Sequence, residues 1–206
     1  ATLCEVVETE LPKGMDGKSF AGLIKGETEN GWDSVFKIYN ENSGGNRHPI
    51  RGVETAGYLY LFNPWSDGEN RFKTATQGTV TYRRLQQLAE TDEAIAARLE
   101  LFDHRVVEEF YDVKNDPDCL VNLIQSEKHA DELARHRALL EKWMKDSGDH
   151  ALPAFEGRED PAILKQYIDK VSAEANARRA AKRKGKNKGK APAGKKGKGK
   201  NGAKKA

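Results

Sequence analysis

An α+β fold is what this sequence predicts: a small antiparallel sheet of about four strands packed against a long C-terminal helix, followed by a disordered basic tail. Three observations predict it. Residues 34–40 (SVFKIYN) alternate, with Val35, Lys37 and Tyr39 on one face and Phe36 and Ile38 on the other. IRGVET and YLYLFN flank Ala56-Gly57, a two-residue interruption of the hairpin kind. Residues 127–146 carry Leu133, Leu139, Leu140, Trp143 and Met144 as one apolar stripe, and Gly148 follows as a natural stop.

Residues 1–8 read as the end of a helix with Leu3, Val6 and Val7 on one side. Pro12, Gly14 and Asp16-Gly17 then break it. SFAGLIKGE suits a short amphipathic helix capped by Ser19, with Phe20, Leu23 and Ile24 buried. After the strand at 34–40 comes a Gly-rich loop, then the hairpin, ended by Pro64 and Asp67-Gly68. Two helical patterns follow, roughly 80–90 with Leu85 and Leu88, and 92–104 with Ile95, Leu99 and Phe102. VVEEFYDV returns to strand, residues 115–118 form an Asp-Pro turn, and the long helix follows. Residues 161–172 make one more short helix.

Charge divides the 206-residue chain in two. Residues 177–206 hold 14 of the 35 Lys and Arg and no acid, leaving 21 basic against 32 acidic residues before them. The formal +3 therefore averages an acidic body and a cationic tail. The tail has no apolar side chain larger than Ala or Pro, so it has nothing with which to offset its ordering entropy. No stretch approaches a membrane span, and the amino end carries no signal-peptide pattern. Cys4 and Cys119 form no metal or redox spacing and read as small unpaired hydrophobes.

Four segments, in order, resemble the carboxyl-terminal part of the sulfatases. ATLCEVVETELPKGMDGKSFAGLIKGE is similar to the family's helix and P-x-G-x-DG-x-SF turn leading to LLKGE. HPIRGVETAGYLYLFNPW resembles its YPMR strand pair, EEFYDVKNDPDCLVNL its EELYDLxxDPxExxNL, and LLEKWMKDSGD its closing WM-x-x-TGD. The likeness covers residues 2 to about 149 and is closest to the sulfamidase-like, heparan N-sulfatase branch. It implies this organisation: 1–30, the end of a catalytic-domain region; 31–150, the C-terminal subdomain; 151–172, a linker with a short helix; 173–206, the disordered Lys/Gly/Ala-rich tail. It also implies a parent enzyme that hydrolyses sulfuric esters or sulfamates on a sulfated polysaccharide or glycosaminoglycan and is exported, periplasmic or extracellular.

The family's nucleophile is a formylglycine made inside C/S-x-P/A-x-R, beside a calcium ion (Ca2+). Neither Cys4-Glu5-Val6 nor Cys119-Leu120-Val121 fits that motif, and the acids show no calcium-binding cluster. Both cofactors are expected in a preceding domain, so no catalytic or metal residue is expected in this chain, which alone should be inactive.

The stretch expected to touch substrate is NENSGGNRHPIR, residues 40–51. Gly44-Gly45 permits close backbone approach. Asn46, Arg47, His48 and Arg51 gather two cations and two neutral hydrogen-bonding groups at a strand edge, and a guanidinium suits an oxyanion. In the relatives, histidines precede YPMR; here Glu41 and Asn42 stand there and His48 replaces the tyrosine. Arg51 has a competing structural role, pairing an acidic neighbour. Trp32 and Trp65 flank the loop and suit sugar stacking or packing, whereas His104, His129 and His136 read as surface residues. The rival function is a polyanion- or nucleic-acid-binding protein acting through its tail by counterion release. Against it stand the acidic body and the lack of aromatic residues in the tail for base stacking.

Overall fold

The structure, a computed structural model, describes residues 1–15, 17–27, 31–41 and 47–188, with side chains to residue 182. The strands are β1 (Ser34–Glu41), β2 (Arg47–Thr55), β3 (Tyr58–Phe62) and β4 (Glu108–Asp112). They form one antiparallel sheet in the order β1-β2-β3-β4. Ala56 and Gly57 are the two residues between β2 and β3, as a tight hairpin requires. The pairing Phe36↔Val53↔Tyr60↔Phe110 sets one apolar row across the whole sheet. Because strand side chains alternate, that row defines the core face.

Helix α5 (Ala130–Ser147) closes this face, with Leu133, Leu140 and Met144 in the same cluster as Val53, Tyr60, Phe62 and Phe110. Residues 127–129, expected within the helix, form a 3₁₀ turn before it, and Gly148 ends it in the left-handed conformation at φ 63°. Trp143 is half-buried and stacks on Phe36 with ring centroids 5.2 Å apart. The short α6 (Leu152–Glu156) adds Phe155 to the core, in edge contact with Phe62. On the opposite face, Leu59, Leu61 and Tyr111 border a hollow shared with Leu101 and Phe102. Those two belong to α4 (Glu93–Asp103), which follows α3 (Val80–Ala89) much as the spacing predicts.

Three expectations require correction. Helices α1 (Thr2–Val6) and α2 (Ala21–Ile24) form, but Phe20, Leu23 and Ile24 are 45%, 43% and 69% exposed. A four-residue helix has no long face to bury, and here Ala21 and Gly22 take the inner positions. His136, expected at the surface, is fully buried, while His129 and His104 are half-buried. The last helix, α7, runs from Pro161 to Lys188 rather than stopping near 172. Its Leu164, Tyr167 and Ala175 are buried, and the segment beyond is rich in Ala, Lys and Arg, all strong helix formers. A tail that buries no bulky side chain can still be helical, because propensity is a local property. Residues 189–206 lie outside the described residues. Among the described residues no helix is long and apolar enough to cross a membrane.

Candidate functional site

Pro49 shapes the start of β2. It cannot donate to a ladder, and the register shifts here: Tyr39 faces Ile50, whereas Glu41 faces Arg47. Two steps along β1 thus match three along β2, a bulge of the kind that accommodates proline and re-aims neighbouring side chains. Alternation along β2 divides the predicted cluster. Arg47 and Pro49 line a cleft with His150 and Tyr167, whereas His48 lies against Trp65 and Phe72. Asn46 and Gly44-Gly45 fall outside the described residues.

Arg51 is 1% exposed, and every nitrogen of its guanidinium has a partner. Its Nε donates to Asp149 Oδ2 at 2.7 Å, and its Nη1 to the carbonyls of Tyr39 and Ile50, both at 3.0 Å. Its Nη2 lies 3.3 Å from His150 Nε2. A guanidinium only donates, so that imidazole nitrogen accepts and the ring proton sits on Nδ1, 3.2 Å from the Tyr167 hydroxyl. The chain Arg51–His150–Tyr167 thereby locks the floor of the cleft, and burial pushes the Tyr167 hydroxyl up to about 12.

His48 receives the Lys73 backbone N–H on Nδ1 at 3.2 Å, and its ring centroid is 4.5 Å from that of Trp65. Burial holds its pKa below the ordinary imidazole value. Trp65 is 4% exposed and stacked on Phe72, so it is a packing residue; Trp32, at 37% exposed, meets Phe20 edge-on.

Arg47 is the predicted residue that faces an open space. Its side chain is 9% exposed and ion-paired through Nη1 with Glu41. Its Nε is buried with no hydrogen-bond partner among the described residues. Burial, then Arg178 and Arg179, lower its pKa, opposed by Glu174. The cleft beside it has a volume of about 360 Å³, and α7 provides its other wall through Tyr167, Lys170, Val171, Glu174 and Arg178. That size falls at the lower end for small-ligand sites. The α7 residues had a legible signal: positions 167, 170, 171, 174 and 178 recur at three- and four-residue steps along one helix face.

The ND-P-D stretch has a structural task. Asp116 Oδ2 accepts the N–H groups of Leu120 and Val121 at 2.8 Å each. Asn122 Oδ1 then accepts the Phe110 N–H at 2.9 Å, satisfying the free edge of β4. Among the described residues no group of three or more His, Cys, Asp or Glu is placed to hold a metal ion.

No protein-family model matches the chain, and no curated protein is significantly similar to it. Solved structures similar to it include a protein of Bacteroides thetaiotaomicron described as a candidate sulfatase, at 23% identity and a TM-score of 0.47. A 2-O GAG sulfatase gives the same values, and in both cases 79% of this chain and 27% of the other are covered. A third, solved in complex with its substrate D-glucosamine-2-N,6-O-disulfate, is 14% identical with a TM-score of 0.46, covering 72% of this chain and 23% of that one. The chain thus spans about a quarter of the length of these structures.

Proposed function

We propose that this chain is the C-terminal subdomain of a sulfatase and forms one wall of the cleft that receives a sulfated saccharide. The observation that carries the reading is the Arg51–Asp149 pair. The arginine of HPIR and the aspartate of SGD lie 98 residues apart and belong to two different segments resembling that family, yet they meet at 2.7 Å in the interior. Two motifs that close on each other through a buried ion pair belong to one unit of structure, as the resemblance implies.

In this reading the chain does no bond-breaking itself. Hydrolysis of the sulfuric ester or sulfamate belongs to a preceding domain carrying the formylglycine and the calcium ion, and the complete protein is exported. Arg47 and the neighbouring loop supply charge to the sugar's sulfate or uronate groups; Arg51 holds the scaffold. The test is to read the coding sequence upstream of Ala1 and assay the complete protein. The expected result is an in-frame C/S-x-P/A-x-R motif and hydrolysis of an aryl sulfate that this chain alone does not perform. Lack of that motif upstream, or turnover by this chain alone above a heat-killed control, would overturn the reading.

A further inference from the structure

We propose that the basic end of α7 binds the phosphate backbone of duplex DNA, without preference for base sequence, and does so as a helix. The proposal is independent of the preceding reading, since it rests on the charge, length and surroundings of one element. Half of the tail's cations lie within the helix: residues 178–188 hold seven of the 14 Lys and Arg, and the last acid before them is Glu174. Past Ala175 no described side chain is buried, and Arg178, Arg179 and Lys182 are exposed. The segment repels itself. Arg178 and Lys182, Arg179 and Arg183, and two further pairs set like charges four residues apart, a spacing that opposes a helix. It also repels Arg47 on β2: burial first, then Arg178 and Arg179, hold that guanidinium below its ordinary pKa, with Glu174 opposing. A helix under these repulsions gains from an anionic partner that screens them.

Three features select the partner. The first is charge density. Residues 178–188 span about 16 Å of helix, so their cations stand about one per 2.4 Å, against one phosphate per about 1.7 Å of duplex axis. The second is shape. An α-helix about 10–12 Å across fits the B-DNA major groove, about 12 Å wide, whereas the deep, narrow major groove of duplex RNA excludes it. The third is what the segment lacks. After Val171 it has no bulky apolar residue to anchor in a bilayer, and no aromatic one to stack on a single strand. A duplex needs neither, because its bases are already stacked on one another. The acidic body would repel DNA, but the helix carries the charge away from it. Lys188 lies about 20 Å along the axis from the buried Ala175, more than two Debye lengths of about 8 Å at physiological salt.

The test is an anisotropy titration of short labelled DNA duplexes with the complete chain, between about 50 and 200 mM salt. The expected result is equal binding to duplexes of unrelated sequence. Log affinity should fall by about 6 or more per tenfold rise in salt, since seven contacts at about 0.9 each give that slope. The triple variant Arg178→Ala, Arg179→Ala, Lys182→Ala changes exposed side chains only and should lessen the slope by about 3. Ala180→Pro keeps every charge but breaks the helix beyond its last buried residue, and should weaken binding about tenfold or more. Circular dichroism should show the parent chain gaining helix when DNA is added. No binding, or an unchanged slope in the triple variant, would overturn the assignment to α7. Parental affinity in Ala180→Pro would overturn the helical mode. Duplex RNA bound as tightly as DNA would overturn the groove fit. Tighter binding to heparin, or to phosphatidylglycerol vesicles, at the same salt would overturn the partner class.

Discussion

Arg51 carries its charge to a position 1% exposed, and each of its three guanidinium nitrogens has a partner there: one carboxylate, two carbonyls and one imidazole nitrogen. Removing either member of the Arg51–Asp149 pair strands the other in the interior, at a cost of about 3–5 kcal/mol. Asp149 also accepts the Ala151 N–H at 2.7 Å, so its loss frees the entry to α6 as well. Arg51→Ala and Asp149→Ala should therefore each lower Tm sharply, and the double variant should cost less than their sum. Arg47→Ala should lower Tm less than either single variant, because the Glu41 side chain it leaves unpaired is 40% exposed and stays hydrated, so mainly the packing of the Arg47 side chain is lost. Chemical denaturation of the four proteins checks this. A parental midpoint for Arg51→Ala would return that residue to the ligand-binding set.

At the scale of elements, the edge of β4 explains why the ND-P-D turn continues into Asn122. Phe110 is buried, and its N–H points away from β3 toward Asn122 Oδ1. The same oxygen accepts the Ile124 N–H at 3.1 Å, and the Leu123 N–H reaches the Phe110 carbonyl at 2.7 Å. The segment after the turn thus stands in for a fifth strand and blocks edge pairing. Asn122→Ala should cost about 1–3 kcal/mol, the penalty for an unsatisfied buried donor. Asn122→Asp retains the acceptor but not the Nδ2–H that reaches the Glu108 carbonyl at 3.3 Å, and should recover part of it. Equal losses in the two variants, measured by urea unfolding, would mean that packing rather than the hydrogen bond anchors the edge.

For the whole molecule, acid should loosen the join between sheet and helix. His136 sits fully buried between them: Nδ1–H donates to the Glu132 carbonyl at 2.8 Å, leaving Nε2 to accept from the Thr55 hydroxyl at 3.1 Å. Burial lowers its pKa below the ordinary 6.5, and the same holds for His48. A depressed imidazole value means that the unfolded chain binds the proton first. The stability each contributes is complete above 6.5 and is lost as pH falls through the lower folded value. Tm should hold steady above neutrality and decline toward acid, and His136→Gln should flatten that decline while lowering Tm at neutral pH. An unaltered slope in the variant would exclude His136 as its source.

Local patterns determined much of this protein. The two-residue hairpin, the alternation that aligns Phe36, Val53, Tyr60 and Phe110, the stripe of α5 and its Gly148 stop all depend on neighbours within a few residues, so they are legible in the chain itself. The same local logic, applied to burial alone, ended α7 too early, since the propensity of its Ala- and Lys-rich half needs no core. What only the tertiary structure decided is which side chains share a space. Alternation along β2 turns His48 and Arg47 to opposite sides, but that one meets Trp65 and the other the wall of α7 is decided by the packing. Asp149 meets Arg51 from 98 residues away, and α7 brings Lys170 and Arg178 opposite Arg47. Such meetings are set by how α5 and α7 lie across the sheet, through the joint packing of Phe62, Met144, Phe155 and Leu164, and no short-range pattern encodes that arrangement.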